Sequence, residues 1–178
     1  MKHLLLLAAG FVALSACNKS PTVDAKNATP EEVAKQVRAS GVETAFVTPG
    51  EWTSKVTIVS MHVPGAPAAM SDQMKGRVSE ERKYCLTPEQ AKKPNENFFA
   101  GNQNECRYDH FTMGGGKIDI AMVCKQENLS NTTNMAGTYT PTTYSMDVSS
   151  VGSGPQQDMT MKMHVDAKRI GECTGKED

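Results

Sequence analysis

The sequence lacks the short motifs that mark the commonest hydrolases and metalloproteases. It contains neither H-E-x-x-H nor G-x-S-x-G, and no pair of carboxylates whose spacing fixes a shared face. Beyond the N-terminal segment the chain has three histidines, His62, His110 and His164. These absences favour a non-enzymatic protein. An envelope enzyme remains a second alternative, because residues distant in sequence can still assemble a triad.

Basic clusters and long apolar runs are also missing. Lys and Arg number 19, Asp and Glu number 20, and the two signs are interspersed along the chain. Nucleic acid is therefore not an expected partner, because it is bound through clustered positive charge. No stretch after residue 16 approaches the ~20 apolar residues that a membrane-spanning helix needs.

Closely spaced cysteine pairs are absent as well. Apart from Cys17, the chain has Cys85, Cys106, Cys124 and Cys173, separated by long and irregular gaps. Zinc sites and dithiol redox centres need spacings such as C-x-x-C, so we expect no metal and no cofactor. An even set of cysteines in an exported chain predicts two disulfides instead.

The N-terminus carries an export signal. Lys2 is followed by an apolar run from Leu4 to Leu14, and this run is too short to span a bilayer. Leu14-Ser15-Ala16-Cys17 resembles the lipobox of bacterial lipoproteins, which implies cleavage before Cys17 and acylation of that cysteine. The alternative is an ordinary signal peptide in which Cys17 is incidental.

The residue after Cys17 bears on location. In lipoproteins of Gram-negative bacteria an aspartate at that position usually retains the protein at the inner membrane, whereas this chain has Asn18. The resemblance therefore implies the periplasmic face of the outer membrane, with the acyl chains as the membrane contact. We expect a signal peptide over 1–16, a lipidated flexible tether over 17–28, a single domain over 29–173 and a disordered tail over 174–178.

The expected domain opens with a helix and continues with strands. Thr29-Pro30-Glu31-Glu32 is a capping box that predicts a thinly apolar helix ending near Gly41 at the domain edge. Thr87-Pro88-Glu89-Gln90 predicts a second, shorter helix. From Trp52 the apolar period is two, which places His62 on the same face as Trp52. The strands that follow are predicted over 77–85, 106–113, 117–124, 137–148 and 159–168.

These segments predict a mainly β fold. It is an antiparallel up-and-down meander of about six to eight strands, a strongly curved sheet or partly open barrel with one or two short peripheral helices. In a six-strand layout all four sulfurs lie at one end, so any pairing is possible. We rank Cys85 with Cys106 and Cys124 with Cys173 first, because they fasten a long loop and the C-terminus. Cys106 with Cys124 and Cys85 with Cys173 is the main rival.

Four groups of residues point to one family. Pro49-Gly50-Glu51-Trp52, Cys85-Leu86-Thr87-Pro88-Glu89, the two middle cysteines and the terminal segment 168–173 together resemble a bacterial domain-of-unknown-function family, number thirty-six seventeen. Members of that family are typically exported or lipid-anchored, so the resemblance implies the same location. It implies no particular activity.

Gly50-Glu51-Trp52 is also similar to the Gly-x-Trp that begins the first strand of lipocalin-like barrels. That resemblance implies that an arginine of the last strand, here Arg169, covers the tryptophan ring with a cation–π contact of about 0.5–2 kcal/mol. We therefore expect Gly50, Trp52, Arg169 and Gly171 to be structural residues.

Methionine is abundant and aromatic residues are few. Eleven methionines include Met159, Met161 and Met163, which share one face of the last predicted strand. Such residues suit an ordinary core, and they equally suit a binding or structural envelope module that presents a soft apolar face to a hydrophobic ligand or an envelope protein. The alternative is a periplasmic copper-handling protein in which these three thioethers and His62 hold Cu(I).

Overall fold

The structure is a computed structural model that describes residues 21–42, 46–79, 81–92, 105–154 and 159–175. These residues form eight strands and three short helices. In chain order they are β1 Thr22–Ala28, α1 Pro30–Ser40, β2 Gly50–His62, α2 Ala68–Met74, β3 Arg82–Leu86, α3 Pro88–Lys92, β4 Cys106–Gly114, β5 Lys117–Gln126, β6 Leu129–Thr140, β7 Thr143–Ser153 and β8 Met159–Gly171.

All eight strands belong to one antiparallel sheet with the order β1-β4-β5-β6-β7-β8-β2-β3. Strands β4 to β8 follow one another as a meander, and β2 and β3 add beyond β8. The sheet is not closed, because β1 and β3 form its two edges. The predicted mainly β, antiparallel meander with short peripheral helices is confirmed.

The segment expected to be a flexible tether is partly a strand, so that prediction is wrong for residues 22–28. Thr22 pairs with Gly114 and Ala28 with Tyr108, which makes β1 the edge strand beside β4. Val23, Ala25 and Ala28 are buried in the core. Cys17 lies outside the described residues, as do positions 1–20 of the predicted signal and tether and positions 176–178 of the predicted tail.

The sequence interpretation also missed one reversal of the chain. Residues 137–148 were expected to form a single strand, but the chain turns at Pro141 and Thr142. The side chains on both sides of the turn are polar and β-branched, so the alternation continues through it without an apolar break. The additional strand inverts the direction of β8 relative to the six-strand prediction.

The direction of β8 determines which cysteines can form disulfides with each other. Cys106 and Cys124 face each other across β4 and β5 and are bonded. The opposite end of the sheet holds the bond between Cys85 and Cys173, because β8 and β3 both finish there. The first-ranked pairing, Cys85 with Cys106 and Cys124 with Cys173, is therefore wrong in this structure, and the rival pairing is found.

The sealed part of the core lies over β1, β4 and β5. Helix α1 has the predicted capping box and a left-handed C-cap at Gly41. Its Val33 and Val37 belong to one buried cluster with Phe111 and Ile120, so the helix, which packs beside the edge strand β1, also covers the core. Of the helices the structure describes, each is too short or too polar to cross a membrane.

Candidate functional site

One end of the sheet is closed by an aromatic cluster, Trp52, Tyr84 and Tyr144. The Trp52 side chain is fully buried, stacks on Tyr144 with ring centroids 5.9 Å apart, and donates its Nε1 proton to Thr48 O at 2.9 Å. The hydroxyls of Tyr84 and Tyr144 are hydrogen-bonded at 3.2 Å. Burial, with Tyr144 as a second cause, raises the pKa of Tyr84 well above its ordinary value. This cluster is a packed structural end.

The expected structural residues Gly50 and Arg169 meet at the same end. Arg169 Nε donates to Pro49 O at 2.7 Å, and its guanidinium also pairs with Glu172. A Cβ on Gly50 would lie 2.5 Å from Arg169 Nε, and Gly50 has a φ of 141°, so the close approach requires glycine. Gly171, by contrast, has no atom within 4 Å of a hypothetical Cβ.

The sheet face that carries Trp52 and Tyr144 has a second region, which is only partly buried. The inward residues Ile120, Met135, Val148, Met163 and Ile58 form one continuous cross-strand row from β5 to β2. Ile120 is buried, whereas the other four are only partly buried. With the rows on either side they form what we call the methionine face: Val56, Ile58, Met61, Met135, Val148, Met161, Met163 and Val165.

A bulge in β2 moves His62 away from this face. The register shifts at Val59, so that Met61 pairs with Met161 and His62 pairs with Thr160. Directly opposed residues in an antiparallel pair point to the same side, so His62 lies on the outer face. His62 therefore lies at the same end of the sheet as Met159 and Met161, as expected, but on the opposite face from these methionines. The alternation rule missed Met61, because one inserted residue inverts all later side chains.

The methionines separate into two groups by exposure. Met113, Met122 and Met146 are buried in the core cluster. Met61, Met161 and Met163 are partly buried and Met159 is 47% exposed. The buried group fills the core in the ordinary way, and the second group is available for contact with another molecule.

The outer face carries a polar cluster centred on His164. Its Nδ1 donates to Asp147 Oδ1 at 2.7 Å, and its Nε2 lies 3.2 Å from both Ser145 Oγ and Asp166 Oδ1. The hydrogen bond to Asp147 raises the pKa of His164 above its ordinary value; partial burial opposes this and Asp166 adds to it. These contacts join β7 to β8.

Ser145, His164 and Asp147 are connected in the order of a nucleophilic triad. Asp166, however, shares the Nε2 position where the base of a triad would take the serine proton. A carboxylate there favours the doubly protonated ring and places negative charge beside the hydroxyl. The geometry therefore favours a cross-strand ion-pair cluster. Sequence reasoning did not find it, because its members are on two strands whose register was not known.

The remaining polar features of the outer face are open and solvated. His110 Nε2 lies 2.9 Å from Asp119 Oδ1. A depression of about 330 Å³ is lined by Asp119, Asp147 and Lys162 together with apolar residues that include Val59 and Val148. Within the described residues, no group of three or more His, Cys, Asp and Glu side chains is arranged to hold a metal ion.

Comparison with known proteins identifies the family. A family model described as "Protein of unknown function (DUF3617)" matches residues 47–173. No curated protein and no solved structure matches the chain. The matched segment runs from just before β2 to the Cys173 disulfide, so it includes the aromatic cluster and the methionine face, while β1 and α1 precede it. The chain belongs to the DUF3617 family of proteins of unknown function.

Proposed function

We propose that this protein is a non-enzymatic binding module of the bacterial cell envelope, which holds an apolar ligand on its methionine face. One observation supports the proposal above the others. One cross-strand row begins at the buried Ile120 and remains apolar over its next four residues, which are only partly buried. These residues are Met135, Val148, Met163 and Ile58.

An extended acyl chain is the ligand that this surface suits best. From Met135 to Ile58 the row crosses four strands, a width of about 14 Å at about 4.8 Å per strand. Methionine adapts its shape to irregular apolar partners. Covering eight methylenes would contribute about 6 kcal/mol at about 0.8 kcal/mol each, before the cost of association.

The location of the module follows from its N-terminus. Acylation of Cys17 would hold the domain at the membrane through several chains, more than the two signals that stable anchoring needs. Asn18 favours the periplasmic face of the outer membrane. Two disulfides between described cysteines suit an oxidising compartment. An envelope protein that presents an apolar segment is a second possible partner for the same face.

The alternation of β7 offers a matched pair of variants for testing the proposal. Val148→Asp places a charge on the methionine face, whereas Ser149→Asp places the same charge one residue away on the outer face. The ligand is a fluorescent fatty acid, titrated into the oxidised full chain. We expect saturable binding that Val148→Asp weakens at least about tenfold, or about 1.4 kcal/mol, and that Ser149→Asp changes little.

Two results would overturn the proposal. One is the absence of saturable binding to the folded, oxidised protein, and the other is an equal effect of both variants. Circular dichroism of each variant verifies that the sheet is retained, so that a loss of binding by unfolding is recognised. If an apolar peptide binds and the fatty acid does not, the acyl ligand is wrong and the protein partner replaces it.

A further inference from the structure

Three methionines lie close together at one end of the β2–β8 pair, where β2 ends and β8 begins. Met61 and Met161 are directly opposed, and Met159 lies two residues before Met161 on the same side of β8. Opposed side chains begin about 5 Å apart, and residues two apart on a strand about 7 Å. Because methionine has three rotatable side-chain bonds, three sulfurs can converge from these positions.

The neighbouring strand leaves room for that convergence. On β7, Ser150 is opposite Met161 and Gly152 is opposite Met159. Among the described residues, a Cβ on Gly152 would meet only Met159 O, at 4.0 Å, so this part of the sheet leaves space beside Met159. Met163, in contrast, lies between the branched side chains of Val148 and Ile58 and belongs to the apolar row.

Exposure separates these three residues from the methionines of the core. Met159 is 47% exposed, whereas Met146 is 6% exposed. Met61 and Met161 are partly buried. All three residues therefore keep contact with solvent, unlike the enclosed methionines of the core.

We propose that Met61, Met161 and Met159 form a three-thioether site for one Cu(I) ion. Thioethers are soft, uncharged ligands, and they favour Cu(I) over the harder divalent ions that carboxylates and imidazoles take. Binding is simple coordination, so no bond is broken and no electron is transferred. His62 is not a ligand, because the bulge at Val59 turns it to the outer face. The site shares Met61 and Met161 with the methionine face, but copper coordination does not require an apolar ligand.

Competition with a coloured chelator tests the site. Cu(I), kept reduced by ascorbate, is titrated into the oxidised full chain in the presence of bicinchoninate. We expect one ion per chain and an affinity that Met61→Leu or Met161→Leu each lowers at least about tenfold. Met70→Leu, which changes an exposed methionine of α2, and His62→Ala are the controls and should leave the affinity within about twofold.

Three outcomes would overturn the site. They are the absence of saturable binding, full affinity in the Met61→Leu, Met161→Leu double variant, and an equal loss in either control. Leucine conserves the apolar volume of methionine, so these variants should fold, which circular dichroism verifies. The copper titration contains no fatty acid, and the fatty-acid test varies Val148, which is not one of the three thioether residues, so failure of one proposal does not decide the other.

Discussion

Replacing Trp52 with alanine is expected to remove much of the stability of the domain. The side chain is fully buried, stacks on Tyr144 and donates to Thr48 O. Truncation of a buried aromatic side chain costs about 3–5 kcal/mol, and the lost hydrogen bond adds about 1 kcal/mol. We therefore expect a loss of about 4–6 kcal/mol, against a total of about 5–15 kcal/mol for an ordinary domain.

Urea unfolding of the oxidised protein measures this loss. The chain has one tryptophan, so circular dichroism must replace intrinsic fluorescence as the probe. Trp52→Phe keeps most of the ring packing and is expected to cost about 1–3 kcal/mol, because Thr48 O loses its donor. Tyr84→Phe removes only the hydroxyl bonded to Tyr144 and is expected to cost about 1 kcal/mol.

The test is the relative loss of folding stability in the three variants. A loss below about 2 kcal/mol for Trp52→Ala would contradict the packing described here, because a fully enclosed ring cannot be removed so cheaply. Trp52→Phe as damaging as Trp52→Ala would show that the hydrogen bond, and not the ring, dominates.

Three further perturbations have defined outcomes. Gly137→Ala would bring a Cβ against Ser145 O and to within 2.8 Å of Met146 Cα. Thermal unfolding should therefore show a loss of about 1–3 kcal/mol in folding stability. Gly171→Ala is the control and should be close to neutral, because no atom lies within 4 Å of its Cβ. Replacing Cys85 and Cys173 together with alanine should cost about 4–5 kcal/mol for a separation of 88 residues; a non-reducing digest that links Cys85 to Cys106 would refute the pairing. Because the pKa of His164 is raised in the folded protein, its contribution to folding stability is full below the ordinary pKa of 6.5 and is lost as the pH rises through the folded-state pKa. The stability difference between the protein and His164→Gln is expected to be below about 1 kcal/mol, because the cluster is exposed, and to shrink between pH 6 and 9. A difference that grows over this range would contradict the assignment.

Local patterns predicted the elements whose signals are local. The capping box at Thr29, the Gly114–Gly116 hairpin and the alternation of Met159 to Ala167 are all present. In each of them a few neighbouring side chains fix the backbone, as a cap, a turn or an alternation of apolar and polar residues.

The features that were missed depend on distant pairing. β1 is polar on its exposed side and becomes a strand because β4 offers it an edge. The bulge at Val59 adjusts the pairing of β2 with β8. The sequence of β2 alone does not specify this bulge. The disulfide pairing follows from the number of reversals between Cys124 and Cys173, and one unrecognised turn at Pro141 was enough to invert it.

The most direct test of the central claim is to locate a bound acyl chain. The oxidised full chain is incubated with a fatty acid that carries a photoreactive diazirine, irradiated, digested and mapped by mass spectrometry. We expect labels on residues that line the methionine face, namely Met135, Val148, Met163 and Ile58. Labels concentrated on the outer face, at Asp147, Lys162 or His164, would contradict it.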